Sequence, residues 1–455
     1  MVERERISDL NSKPVRPGKF VLYWMQASQR ADCNHALEYA VGRANDLGVP
    51  TVACFGLTDE YPQANARHFE FMLEGLAETA RRLAARGVQL VVHLGRPEEV
   101  AVELADQARL VVADMGYLRH QTRWRRRVAV KAPCRVLQVE SDVVVPTRVA
   151  SNKAEYAART IRPKLACHWP KYLVRCRRVR AKRDSLDLRL GGIDLSDTSS
   201  VMAGLRTDRS VKPVGRYYSG GHSNARKLLK RFIRDKLSMY ADRRGDPSLD
   251  IQSHMSPYLH FGQISPIEIA LAITKASDKG QDSIDSYIEE LLVRRELSMN
   301  FVRYTSDYDR YSCLPAWARA SLDRHRRDKR PYIYTRRELE DSLTHDTYWN
   351  AAMREMRLTG KMHNYMRMYW AKKIIEWTAS PATAFRRILA INNKYFLDGR
   401  DPVSCANVAW CFGKHDRPWK NRPVFGTIRY MNAAGLRRKF DMESYVRWTE
   451  GLGQE

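Results

Sequence analysis

The stretch FVLYWMQASQRADCNHALEYAVGRANDLGVPTVACFGL, residues 20–57, reads as strand, helix, strand. Phe20–Trp24 is a short apolar run with no polar alternation, the pattern of a strand buried on both faces. Asn34–Leu47 carries helical spacing and stops at Gly48. Pro50–Leu57 repeats the buried-strand pattern. Outward from this unit the alternation continues. Phe69–Arg86 is an amphipathic helix stopped by Gly87, Val88–Leu94 a strand, Pro97–Gln107 a helix, Leu110–Asp114 a strand and Val136–Val139 a fifth strand. Regular alternation with short loops predicts a Rossmann-like parallel α/β domain over residues 20–146, with helices on both faces. Its ligand edge lies at the C-terminal ends of the strands, where Gln26–Leu37 follows the first one.

Residues 1–19 are polar and read as a loose N-terminal tail. Thr147–Lys164 is polar and helical in spacing. The stretch from Arg175 to Gly215 has basic residues, a Gly191-Gly192 pair and no periodicity, so residues 147–220 read as a long, partly ordered interdomain linker. From residue 221 to 455 the helical period takes over. Ala225–Tyr240, Pro266–Ala276, Ser283–Tyr304, Leu314–Asp328, Arg336–Asp341, Asp346–Thr359, Lys361–Thr378 and Pro381–Asn393 are predicted helices of an all-helical domain.

Composition narrows the function. The 455 residues carry 78 Lys+Arg against 52 Asp+Glu, a formal charge of +26 that repels itself and calls for a polyanionic partner. Arginine clusters at Arg123–Arg127, Arg175–Arg183 and Arg324–Arg330, spread over the chain as a nucleic-acid footprint would be. An anionic membrane would attract the same charge, but no apolar insertion face accompanies it. No membrane partner is expected, and with no signal-peptide core the reading is cytoplasmic, nucleoid-associated in a bacterium. Eight cysteines without a C-x-x-C pair predict free thiols and no metal site. Neither G-x-G-x-x-G nor a Walker A motif is present.

In GKMHNYMRMYWAKKIIEW, residues 360–377, Asn364, Arg367, Trp370, Ile374 and Trp377 share one helical stripe. A charge on a core stripe needs a partner; Asp398 of the DGRD turn could supply it, although D-G is a common turn dipeptide and by itself reads more readily as an exposed turn. A core stripe with Asn364 and Arg367 at its solvated edge fits the spacing as well. Ser253 and Ser256, in QSHMSPYLHFGQIS (252–265), could hold phosphate oxygens or merely cap a helix. Glu290 and Arg294, in EELLVRRELSMN (289–300), are spaced as an i,i+4 pair.

Jointly and in this order, the segments resemble the photolyase–cryptochrome family over nearly the whole chain. GKMHNYMRM (360–368) resembles its flavin segment and SPYLHFG (256–262) its phosphate-and-adenine segment. EYAARTIRPK (155–164), RRELSMNF (294–301), DGRDP (398–402) and HDRPW (415–419) resemble the stamps of class II cyclobutane pyrimidine dimer photolyases. The resemblance implies a carbon–carbon lyase, monomeric, that repairs such dimers in double-stranded DNA by light-driven electron transfer from reduced FAD to a flipped-out lesion. A cryptochrome-like photoreceptor without repair is the alternative. FAD would be held by Tyr240, Gln252, Ser253, His254, Met255, Ser256, Asn364, Arg367 and Asp398, with Asn392 near flavin N5. Glu290 would hydrogen-bond the dimer. Met368, Trp410 and Trp419 would line the lesion pocket, and Arg417 would fill the gap left in the duplex. Trp370, Trp349 and Trp377 would carry electrons to the surface, the seven-residue spacing of Trp370 and Trp377 fitting successive hops. A deazaflavin-type antenna could occupy the α/β domain. Arg294 stands where some class II members carry an aromatic, and Lys361 replaces an aromatic of other branches with no role assigned to it.

Overall fold

A computed structural model describes residues 2–453. The chain forms two compact units. The first comprises Met1–Asn152, Lys164–Lys230 and Met255–Lys275, the second Lys153–Pro163, Arg231–His254 and Ala276–Glu455. Met1, the first residue of the predicted tail, and Gln454 and Glu455 lie outside the described residues.

The first unit is built on a sheet of six strands, β1 (Ile7–Asp9), β2 (Phe20–Trp24), β3 (Thr51–Leu57), β4 (Gln89–Leu94), β5 (Ala108–Asp114) and β6 (Arg135–Val139), in the order β1-β6-β5-β2-β3-β4. All neighbours are parallel except β1, which runs antiparallel to β6. Successive side chains of a strand alternate between faces. Val21 and Tyr23 therefore join the cluster under the helices His35–Leu47 and Ala66–Ala84. Phe20, Leu22 and Trp24 join the opposite cluster with Val100, Leu104 and Val128. Burying each such side chain contributes roughly 1.5–3 kcal/mol, which is why the apolar runs are continuous rather than alternating. A helix not predicted, Arg119–Lys131, covers part of the second face. Its arginines dominate the sequence and mask the apolar positions Val128 and Ala129.

Two segments expected to be loose are ordered. The tail supplies β1, and the buried Arg6 donates to the carbonyls of Glu140 (3.1 Å), Val143 (3.1 Å) and Val144 (2.6 Å). The segment 175–215 dresses the sheet. Ser185 Oγ donates to the Thr51 carbonyl (2.7 Å), Ile193 N donates to Val92 on edge strand β4 (2.7 Å), and Thr198–Gly204 is helical. An exposed strand edge has unpaired backbone groups; both segments satisfy such groups without needing an apolar period.

The second unit is helical. The helices Thr347–Thr359, Asn364–Glu376, Pro381–Tyr395 and Pro402–Cys411 surround its core, and Met442–Gly451 packs on the first of them. The last two were not predicted. The predicted helix Ser283–Tyr304 is helical throughout but contains a π-helical stretch, Glu289–Arg294, between α-helices Gln281–Ile288 and Arg295–Tyr304. Two of the quoted stamps meet in this unit: Asn300 Oδ1 accepts the Glu155 N–H (2.8 Å) and its amide donates to the Lys153 carbonyl (2.9 Å).

Candidate active site

The helix Asn364–Glu376 begins after Gly360, which closes the preceding helix at φ +72°. Arg367, one turn in, meets Asp398: its Nη2 donates to both carboxylate oxygens at 3.0 Å. Its Nε donates to the Met362 carbonyl (3.2 Å) and its guanidinium lies 3.9 Å from the centre of the Phe396 ring. The charge on the stripe thus has the partner it required. The turn holding Asp398 is tight. A Cβ on Gly399 would come within 2.9 Å of the Asn392 carbonyl. Asn393 Oδ1 accepts both the Arg400 N–H (3.0 Å) and the Asn392 side-chain amide (3.0 Å). One amide hydrogen of the buried Asn392 remains for another acceptor. Asn364 is exposed at the helix start.

Further along, Trp370, Trp349 and Trp377 are 2%, 0% and 1% exposed. Trp349 comes from the neighbouring helix, whose start Asp346 caps by accepting its N–H (3.0 Å). It stacks on Trp370 at 6.5 Å and 12°, donates its indole N–H to the Trp370 carbonyl (3.0 Å), and meets Trp377 edge-on at 5.4 Å. Ring contacts thus join Trp370 to Trp377 through Trp349, the order in which the three were named as a chain. Trp377 is itself buried, so the surface lies beyond it. The rings of Tyr334 (5.2 Å) and His345 (5.4 Å) lie beyond it, and Tyr332, 48% exposed, stacks on His345 at 3.7 Å.

Glu290 does not pair with Arg294. A π-turn adds a residue, so its natural neighbours are i,i+5, and Arg294 Nε pairs with Glu289 (3.0 Å), which Arg162 also holds (2.8 Å). Glu290, half-exposed, meets Arg244 instead (2.9 Å). Arg244 covers the Tyr240 ring at 5.6 Å, and its carbonyl accepts from Gln252 Nε2 (2.9 Å). Sequence reasoning missed Arg244: it lies 46 residues from its partner and in no motif.

Ser253 Oγ accepts from Tyr287 (2.9 Å), and His254, at φ +58°, contacts Asp250 (2.6 Å) and Lys361 (2.8 Å). Met255 and Ser256 open the helix Ser256–His260, which belongs to the first unit. Burial and the adjacent Lys361 hold the His254 and His363 imidazoles down at about 4. Burial lowers Lys361 to about 8 and raises the buried Glu355 carboxyl to about 7.

Trp419 and Arg417 are exposed, while Trp410 and Met368 are half-buried. Arg429, also missed, lies over both indoles, 5.3 Å from the ring centre of Trp410 and 4.3 Å from that of Trp419, and Arg417 flanks Trp419 at 5.0 Å. A cation between two aromatic faces holds them in place while leaving ring surface available for stacking.

In the first unit the order of the sheet reverses between β2 and β5. There the buried Asp114 accepts the N–H groups of Gln26 (3.0 Å), Ala27 (2.9 Å) and Ser28 (2.8 Å). Buried side-chain atoms of Gln26, Ser28, Gln29 and His35 have no hydrogen-bond partner.

An α/β unit together with a helical unit is the fold of photolyase and cryptochrome structures. The DNA photolyase family profile matches residues 21–179. A deoxyribodipyrimidine photo-lyase of Methanothermobacter thermautotrophicus is 47% identical over 456 residues, covering 100% of both chains. A Synechocystis cryptochrome has the same fold, at TM-score 0.74 and 16% identity over 95% of this chain and 88% of its own. So does a Sulfolobus tokodaii photolyase described with two FAD molecules, at TM-score 0.69 and 16% identity over 94% and 89%. The chain belongs to the DNA photolyase family, whose full-length relative here is an enzyme, a carbon–carbon lyase acting in DNA repair.

Proposed function

We propose that this chain is a class II photolyase that splits cyclobutane pyrimidine dimers in double-stranded DNA, working as a monomer in the cytoplasm. The donor set suits a flavin dinucleotide: hydroxyls at Ser253 and Tyr287, a buried ammonium at Lys361, the Arg367–Asp398 pair and a spare amide hydrogen on Asn392. Tyr240 and Gln252 to Ser256 would hold the ribityl, phosphate and adenine parts. Arg367 and Asp398 would flank the isoalloxazine with Asn364 beside them, and Asn392 would donate to N5. The chemistry that a bound, reduced FAD would supply under blue or near-ultraviolet light is reversible one-electron donation, which would open the cyclobutane ring with no net redox change.

The residues carry the rest. Glu290, held by Arg244, would hydrogen-bond the dimer and favour the added charge on it. Trp410, Trp419 and Met368 would receive the flipped bases, and Arg417 would fill the vacated duplex. Trp370, Trp349 and Trp377 would relay electrons inward to oxidised FAD. The unpartnered polar atoms around Gln26–His35 support an antenna pigment of the deazaflavin type at the sheet's reversal point.

The observation that carries repair, as against photoreception, is the Trp410–Arg429–Trp419 stack: a sensor needs no solvent-facing aromatic platform. The test is light-dependent restoration of a defined thymine dimer in duplex DNA by the purified, reduced protein. Bound, photoreducible flavin without repair would favour a cryptochrome-like photoreceptor.

A further inference from the structure

Lys361 is a buried cation that, among the described residues, no carboxylate contacts. Its backbone is pinned, its N–H donating to Thr359 Oγ1 (3.1 Å) while its carbonyl accepts from the same hydroxyl (3.2 Å). The side chain is 9% exposed, and among the described residues no carboxylate oxygen lies within 4.0 Å of Nζ. The other cations of this region are matched: Arg367 by Asp398 (3.0 Å) and Lys236 by Asp250 (2.6 Å).

What holds Lys361 is His254, whose Nδ1 lies 2.8 Å from Nζ. The imidazole is neutral near pH 7, since burial and Lys361 itself hold it down at about 4. Its Nδ1 therefore accepts from the ammonium, and its Nε2–H donates to Asp250 Oδ1 (2.6 Å). The arrangement is strained: His254 sits at φ +58°, a conformation few non-glycine residues adopt. The Asp250 carboxylate orients the His254 ring, and the ring, in the segment Gln252–Ser256, orients the Lys361 ammonium. The carboxylates of Asp250, Asp398 and Glu355 act on this ammonium at longer range, but its direct contact is a neutral ring, a costly arrangement for a buried charge unless an anion completes the site.

We propose that Lys361 is the counter-ion of the FAD diphosphate, aimed by the positioning pair His254–Asp250. This rests on the assignment of Gln252–Ser256 to the phosphates. The two ideas separate in one experiment on the full chain stripped of flavin. FAD, riboflavin (no phosphate) and ADP (diphosphate without flavin) are bound to the parent, Lys361→Met and Lys361→Arg, with ADP read as a competitor of FAD. Charge-assisted hydrogen bonds are worth about 1.5–3 kcal/mol, so Lys361→Met is expected to weaken FAD binding about 10- to 100-fold. ADP competition should fall in parallel, riboflavin affinity should hold, and Lys361→Arg should recover most of the loss. If Lys361→Met does not fold, His254→Asn keeps the ammonium but removes its aim, and should show the same FAD-specific loss. Parental FAD affinity in these variants, or an equal loss for FAD and riboflavin, would overturn the counter-ion role alone. A parent that binds no FAD would overturn the assignment of the site and the proposal with it.

Discussion

Trp349 is the residue on which the proposed electron path turns. It touches both Trp370 and Trp377, while those two, seven apart on one helix, are bridged by it. Trp349→Phe should therefore abolish photoreduction of oxidised FAD as fully as Trp370→Phe, while repair by pre-reduced enzyme survives. Bleaching of the oxidised flavin band under blue light with an electron donor measures this; bleaching at the parental rate in Trp349→Phe would remove it from the path. Glu290 and Arg244 make a second residue-scale case. Because each holds the other at 2.9 Å, Glu290→Ala should lower the repair quantum yield several-fold with little loss of DNA affinity. In Arg244→Ala the Glu290 effect should shrink, since interacting residues are non-additive. Additive losses in the double variant would show that the two act separately. Neither Trp349's place nor Arg244's partnership is readable from spacing, because each contact joins segments far apart in the chain.

At the scale of elements, one buried carboxyl ties three pieces of the second unit together. Glu355, on the helix Thr347–Thr359, accepts from the Tyr445 hydroxyl of the helix Met442–Gly451 (2.6 Å) and from the N–H of His363 (3.2 Å), which caps the helix Asn364–Glu376. Burial raises its carboxyl to about 7, so the folded state holds a proton there that the unfolded chain, near 4.5, gives up earlier. Between those values the folded state binds more protons, and stability falls as pH rises from about 5 to 7, then levels. Over that window the loss is on the order of 3 kcal/mol. Glu355→Gln removes the titration, so urea melts should show the variant gaining on the parent as pH increases from 5 to 7.5. A pH-independent difference between the two would mean that Glu355 titrates in its ordinary range. The π-turn at Glu289–Arg294 is another element-scale fact. Composition reads the whole stretch as one helix, and only the packed structure shows the extra residue that sends Arg294 to Glu289 and leaves Glu290 to Arg244.

Over the whole molecule the charge of +26 governs how the protein meets a polyanion at long range. Not all of it faces solvent as a DNA footprint: Arg6, Arg30 and Arg67 are buried. Arg30 spends its donors on the carbonyls of Cys33 (3.1 Å), Ser141 (2.8 Å) and Gly262 (3.0 Å) within the first unit. The remainder predicts that affinity for a dimer-containing duplex falls steeply with salt. Neutralising about five phosphates gives a slope near −4 to −5 in log K against log[salt]. A fluorescence-anisotropy titration between 50 and 200 mM salt measures it, and a flat response would assign the charge to something other than DNA. Among the described residues no helix is long and apolar enough to cross a membrane.

The amino-acid sequence by itself determined the layer architecture and the chemistry-bearing segments. Strands buried on both faces must be continuously apolar, so Phe20–Trp24 is legible alone. A charged residue on a core stripe must find a partner, but the stripe alone left Asp398 as readily an exposed turn; the family resemblance named the pair, and the packed structure makes it. The tertiary structure decided what depends on neighbours. Ile7–Asp9 is a strand only because β6 offers an edge, and the segment 175–215 is ordered only because the sheet needs its donors. Arg429 matters only because two indoles converge on it, and Lys361 only because its direct partner is the His254 ring. Local patterns report the burial each residue requires; which distant group answers that requirement is settled when the chain is packed.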